Sequence, residues 1–207
     1  MIENISLNNI NTIAGVDVAY TTINNIEYGI CSILVFDFKS FDLITKVNST
    51  KKIEIPYQPG LLGKRELPVV IEAYNNLKII PDIFMLDGNG YLHKEHLGIA
   101  TMFSNTTKVP SIGVAKNYYN VGEDKWQMPA NEVGAITYIK KDSDIYGVSM
   151  RSKVDCKPIY VSVGNYITLD DAIIITKKCL NKKSRIPIPT RLADIDTKIE
   201  RKKLILK

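Results

Sequence analysis

Two aspartates, a glutamate and a lysine stand in this chain among neighbours that make them conspicuous. Asp17 lies inside IAGVDVAY (13–20), Glu66 inside GKRELP, Asp87 ends IFMLD (83–87) before Gly88-Asn89-Gly90, and Lys116 ends SIGVAK. Strand alternation puts Ile13, Gly15, Asp17 and Ala19 on one face and Ala14, Val16, Val18 and Tyr20 on the other, leaving a carboxylate among apolar residues. Burying it unpaired is costly, so Asp17 must meet a base, bind a cation or open on a cleft. Asp87 sits at the carboxyl end of a strand, where open α/β sheets bind ligands and where glycines allow close backbone approach. A tight turn capped by Asp87 is the plainer alternative. Two carboxylates on neighbouring strands suit Mg²⁺, which takes one or two carboxylates, several waters and phosphate oxygens. With a phosphodiester such an ion orients and deprotonates the attacking water. Glu66 either adds a third oxygen or belongs to an Arg65-Glu66 charge pattern on a helix surface. Lys116 can meet a scissile phosphate as a point charge. His93 and His96, in HKEH, have no Cys or further His close in sequence to complete a tetrahedral zinc set. A phosphate contact or a loop-holding role is expected of His93 instead.

These residues need a sheet to hold them. Residues 13–20 and 28–37 read as antiparallel strands joined by TTINNIE, and KVNSTKKIEI (46–55) as an edge strand. After PYQPG, apolar residues at 62, 67, 70, 71 and 74 have helical spacing, with Pro68 either starting or bending the helix. IFMLD, apolar on both faces, predicts a central strand. HLGIATMFS predicts a short helix, PSIGVAK (110–116) another buried strand, and YGVSMRS with PIYVSVGN a later strand pair. Thr168 and Asp171 form a capping-box-like start for LDDAIIITKKCL, and IPIPTRLADIDTKIERKKL closes as a turn and a basic helix. Hairpin strands followed by alternating helix and strand predict a mixed sheet, antiparallel first and then parallel, with helices on both faces. That order is expected of a ribonuclease H-like α/β fold.

The composition allows one domain over residues 1–207, with 45% hydrophobic and 24% charged residues as in ordinary globular chains. The start MIENISLNNINTIAG lacks a basic segment followed by an apolar run, so a cytoplasmic location is expected, with a monomer as the default and no membrane partner. Cys31, Cys156 and Cys179 are too dispersed for a disulfide framework or a zinc motif. The net charge of +5 concentrates near the C-terminus, which serves a solvated helix face and a phosphate-binding strip equally well. An ATP-using enzyme of the actin and sugar-kinase type would need a second lobe and a second phosphate loop, which this length does not supply.

Taken in order, IAGVDVAY, PYQPGLLGKRELP, LDGNGYLHKEHLGIA, PSIGVAK, KPIYVSVGN and PIPTRLAD resemble the endonuclease V family, across about residues 13 to 196. The resemblance implies a ribonuclease H-like fold and hydrolysis, with Mg²⁺ or Mn²⁺, of the second phosphodiester 3′ to a deoxyinosine, leaving a 3′-hydroxyl and a 5′-phosphate. By position, Asp17, Glu66 and Asp87 match the metal-site acids, Lys116 the catalytic lysine and Tyr57 the aromatic wedge that fills the gap left by the displaced base. Gly60, Leu62, Gly88, Gly98 and Ile99 match a base pocket lined largely by backbone. The implied partner is single- or double-stranded DNA containing deoxyinosine.

Four positions depart from the family pattern. Asn165 stands where SVGH supplies a histidine, and an amide there is expected to assist the metal. His93-Lys94-Glu95 replaces HPR, Thr101-Met102 replaces a histidine after GxA, and Lys64 replaces a phenylalanine. The alternatives are a weakened or inactive protein that still binds inosine-containing nucleic acid, and a nuclease that prefers inosine-containing RNA.

Overall fold

The computed structural model describes residues 4–56, 58, 60–122 and 125–206. The strands β1 (Thr12–Ile23), β2 (Ile26–Asp37) and β3 (Leu43–Lys52) form an antiparallel meander. Asn24 and Asn25 turn the first hairpin with φ of 50° and 61°, the conformation a two-residue loop needs to match strand twist. β4 (Ile83–Asp87) joins β1 in parallel and β5 (Ser111–Ala115) joins β4 in parallel. β6 (Ile136–Lys141), β7 (Asp144–Met150) and β8 (Ile159–Asn165) complete an eight-stranded sheet in the order β3-β2-β1-β4-β5-β8-β7-β6. This is the mixed sheet expected of a ribonuclease H-like domain, extended by three antiparallel strands beyond β5. β6 has no counterpart in the expected elements; its sequence ITYIKK is short and ends in two lysines.

Helices cover both faces. α1 (Leu62–Asn75) and α2 (Ile99–Thr107) bury Val69, Val70, Ala73, Ile99 and Phe103 against Ala14, Val16, Ile33, Phe84 and Leu86. On the opposite face α3 (Leu169–Lys178) and α4 (Ile188–Ile205) bury Ala172, Ile175 and Ala193 against Ile13, Leu34, Met85 and Ile112. The alternation inferred for β1 therefore feeds two separate cores. Thr168 caps α3 by accepting the Asp171 N–H at 3.1 Å, and acids at its start with lysines at its end complement the helix dipole. α1 begins at Leu62, six residues before Pro68, so the proline lies inside the helix. Lacking an N–H, it leaves the Lys64 carbonyl without its helical donor. α4 approaches β1 closely: a Cβ on Gly15 would lie 2.0 Å from the Pro189 carbonyl oxygen, so only glycine fits there. Among the described residues no helix is long and apolar enough to cross a membrane.

Candidate active site

Strand register brings the acids together. Val16 lies opposite Leu86 in the parallel β1/β4 pair, which places Asp17 beside Asp87 at the strands' carboxyl ends. Asp87 is opposite Val114 of β5, and Lys116 follows two residues later. The Lys116 ammonium contacts Asp87 Oδ2 and stands 3.6 Å from Asp194 Oδ1 on α4. Asp17 points towards α4, where Thr197 Oγ1 donates to its Oδ2 at 2.9 Å. Glu66 reaches the same end of the sheet from α1, on the opposite face, and its Oε1 accepts the Tyr20 hydroxyl at 2.8 Å.

The acids are short of compensating charge. Burial, then hydrogen bonding with Asp87 and its charge, pushes the Asp17 carboxyl up to about 8, against the smaller opposing effects of Lys116 and Thr197. Burial pushes Glu66 up to about 7, with the Asp87 charge adding and Tyr20 and Arg65 opposing. Burial alone would lower Lys116, but Asp87, Asp17 and Asp194 outweigh it and raise it, which keeps the amine charged. Asp194 is lowered overall: Lys198, with a hydrogen bond of 2.6 Å, and Lys116 outweigh its burial.

Among the described residues no three His, Cys, Asp or Glu side chains are gathered as a finished ligand set, and Lys116 rests on Asp87. The donor chemistry nevertheless fits a hard divalent cation: Asp17 and Glu66 are each 7% exposed, offer oxygen only, and are pushed towards the protonated state by burial that Lys116 and Arg65 do not offset.

A cleft of about 380 Å³ joins this cluster to a recess in the glycine loops. Asp17, Glu66, Asp87 and Lys116 line it together with Gly60, Leu62, Gly88, Gly98 and Ile99. Gly60 has φ of 84° and Gly88 of 149°, and a Cβ on Gly88 would lie 2.6 Å from the Ile99 side chain. A Cβ on Gly98 would lie 2.2 Å from the Asn89 carbonyl oxygen, so the loop after β4 folds against the start of α2 without side chains between. His93 braces the recess. Its Nδ1 accepts the Glu95 N–H at 3.2 Å, so Nε2 carries the proton and donates to the Gly60 carbonyl at 3.2 Å. The ring stacks on Tyr119 at 5.1 Å, with 7° between planes. With both nitrogens engaged, His93 takes the loop-holding role that was one of its two expected ones, and it also lines the cleft.

Asn165 is a correction. It pairs with Ser111, the first residue of β5, whereas Lys116 follows the last, because β8 runs antiparallel to β5. Its amide donates to Asn105 Oδ1 at 2.7 Å, so it stands at the opposite end of the sheet from the acids. Tyr57 lies outside the described residues. Of the other departures, Lys64, Lys94 and Glu95 are exposed, and Thr101 is buried in α2. The C-terminal cations are partly committed: Arg185 donates to the carbonyls of Lys116, Lys157 and Pro158, and Lys203 pairs with Glu200.

Asp194, Thr197 and Tyr20 were not singled out from the sequence. A signal for the first two was present, since Asp194, Thr197 and Lys198 have the i, i+3, i+4 spacing of one helix face.

A sequence profile described as Endonuclease V matches residues 2–195. An endonuclease V of Bacillus thuringiensis is 46% identical over 203 residues, covering 98% of this chain and 86% of the relative. The solved endonuclease V of Bacillus subtilis superposes with a TM-score of 0.92 at 45% identity, covering 98% of this chain and 85% of that one. That of Ciona intestinalis, solved in complex with a 24mer DNA containing an inosine followed by a ribo-adenosine, has a TM-score of 0.85 at 24% identity. It covers 99% of this chain and 92% of that one, and at this identity it speaks to fold alone.

Proposed function

This chain belongs to the endonuclease V family, and from that premise we propose that it is a metal-dependent repair endonuclease acting on deoxyinosine in DNA. The cut falls at the second phosphodiester 3′ to the lesion and leaves a 3′-hydroxyl and a 5′-phosphate. The observation that carries this reading is the single cleft in which the acid and lysine cluster opens onto the glycine-walled recess. Family membership carries the substrate class, and the inosine-containing DNA bound by the Ciona member of that family agrees with it.

Asp17, Asp87 and Glu66 are the residues to hold Mg²⁺, or Mn²⁺ in its place; such an ion, when bound, activates water and offsets charge building on the transferred phosphate. Lys116 meets the scissile phosphate as a point charge, kept protonated and aimed by Asp87 and Asp194. The recess accepts a base turned out of the stack. Hypoxanthine lacks the 2-amino group of guanine, so a tight wall of Gly88, Gly98 and Ile99 admits it where guanine collides. Its 6-oxo acceptor and N1–H donor, where adenine has an amine and a bare nitrogen, let backbone groups tell it from adenine. A mispaired base also costs less to extrude. Tyr57 is the proposed wedge, an aromatic ring suited to stacking on the neighbouring bases.

The test is nicking of a duplex carrying one deoxyinosine in Mg²⁺. Wild type should cut, and Asp87→Ala should bind the lesion without cutting. If both bind equally and neither cuts, the protein is an inosine-binding protein and the nuclease reading fails. Parallel substrates with inosine in RNA, or with one ribonucleotide in DNA, decide the sugar preference, which rests on contacts to the 2′-hydroxyl.

A further inference from the structure

Tyr20 lies three residues after Asp17 on β1, on the face that α1 covers, and its hydroxyl is 2.8 Å from Glu66 Oε1. We propose that Tyr20 is a positioning residue that fixes the Glu66 carboxylate with Oε2 left for the cleft, and thereby sets the affinity of the site for a divalent ion. This rests on the metal-dependent reading above.

The brace behind Tyr20 is extensive. The Arg65 guanidinium sits 4.6 Å from the centre of the Tyr20 ring. Arg65 is itself buried, donating to the Ile55 carbonyl at 2.7 Å and paired with Glu27 of β2. Consecutive residues of α1 thus grip one tyrosine, Arg65 by its ring and Glu66 by its hydroxyl. A phenol ordinarily keeps its proton to about pH 10, so Tyr20 donates to Glu66 throughout the working range. A glutamate has three rotatable side-chain bonds, and a carboxylate left to sample them would meet an ion in the right pose only part of the time. Thr197 secures Asp17 in the same manner from the other face of the sheet, so each of these acids is held by one hydroxyl. Partners that orient ligating side chains typically govern metal affinity by about 10- to 100-fold.

Tyr20→Phe removes the hydroxyl and keeps the ring that Arg65 stacks on. The readout is calorimetric titration of Mn²⁺ into the intact chain without nucleic acid, for wild type, Tyr20→Phe, Glu66→Ala and the double variant. Thermal melting in EDTA verifies folding. We expect Tyr20→Phe to weaken Mn²⁺ about tenfold, and to cause no further loss once Glu66 is alanine, because the tyrosine acts only through that carboxylate. A purely structural tyrosine would give the same loss in both backgrounds, and that result overturns the proposal, as does wild-type affinity in Tyr20→Phe. Wild type that binds no Mn²⁺ overturns the metal assignment itself, a failure distinct from an insensitive Tyr20.

Discussion

Raising the pH should weaken the ion-free protein, and the site's own acids set the size of the effect. Glu66 moves from 4.5 to about 7 and Asp17 from 3.8 to about 8 on folding. An acid that holds its proton more tightly when folded makes the native state bind more protons than the unfolded chain between those two values. Stability is therefore greatest below about pH 4 as far as these groups are concerned, and is lost as pH rises through about 8. At about 1.4 kcal/mol for each tenfold change in proton affinity, Glu66 alone accounts for roughly 3 kcal/mol. Asp17 adds in the same direction. Against a typical total of about 5–15 kcal/mol, that loss is large. For a chain of this size it lowers the melting temperature by about 6–12 °C. Urea unfolding and thermal melts in EDTA between about pH 4 and 8.5 measure it, the part from about pH 5.5 upward carrying roughly 2 kcal/mol of the Glu66 share. Added Mg²⁺ should restore stability at the upper end, where the acids are ionised and bind the ion best, by mass action on the native state. Asp17→Asn should flatten the dependence. A midpoint that stays level or climbs from pH 5.5 to 8.5 in EDTA would refute the picture of two under-compensated, buried carboxyls.

Gly88→Ala should cost about 1–3 kcal/mol through overpacking against Ile99, and should weaken binding to a deoxyinosine duplex far more than to plain duplex; equal losses by fluorescence anisotropy would remove Gly88 from the recess wall. Asn165→His, remote from the acids at the far end of β8, should leave the half-saturating Mg²⁺ concentration for nicking unchanged, and a clear drop would restore this position to the metal site.

Asp17, Asp87 and Lys116 were legible because strand periodicity and strand ends are local properties: a carboxylate in an apolar run, or a polar residue just past one, announces itself. Glu66 was ambiguous for a physical reason. Helical spacing says which face a residue shares, and the difference between a surface ion pair and a buried acid was made by Tyr20, 46 residues earlier in the chain. Asp194 was hidden more deeply. It sits in a helix crowded with lysines and arginines, where an acid reads as solvated charge balance. It reaches Lys116 only because α4 lies directly on β1, an approach that depends on Gly15 having no side chain under Pro189.

Asn165 went the other way, from apparent ligand to bystander, and strand direction decided it. PIYVSVGN has the same hydrophobic alternation whether it runs with β5 or against it, so periodicity carries no information on which end meets the acids. Parallel pairing would have delivered the asparagine towards the end that bears Lys116. The observed antiparallel pairing delivers Tyr160 there instead, opposite Ala115, and leaves Asn165 beside Ser111. A fourth acid-site oxygen is supplied from α4 rather than from the sheet: Asp194 occupies the side of Lys116 away from Glu66's helix, so the lysine is flanked by carboxylates from both β4 and α4. That arrangement accounts for an ammonium that stays charged although only 33% of its side chain is exposed, and it makes the direction of β8 irrelevant to the chemistry while essential to reading it correctly.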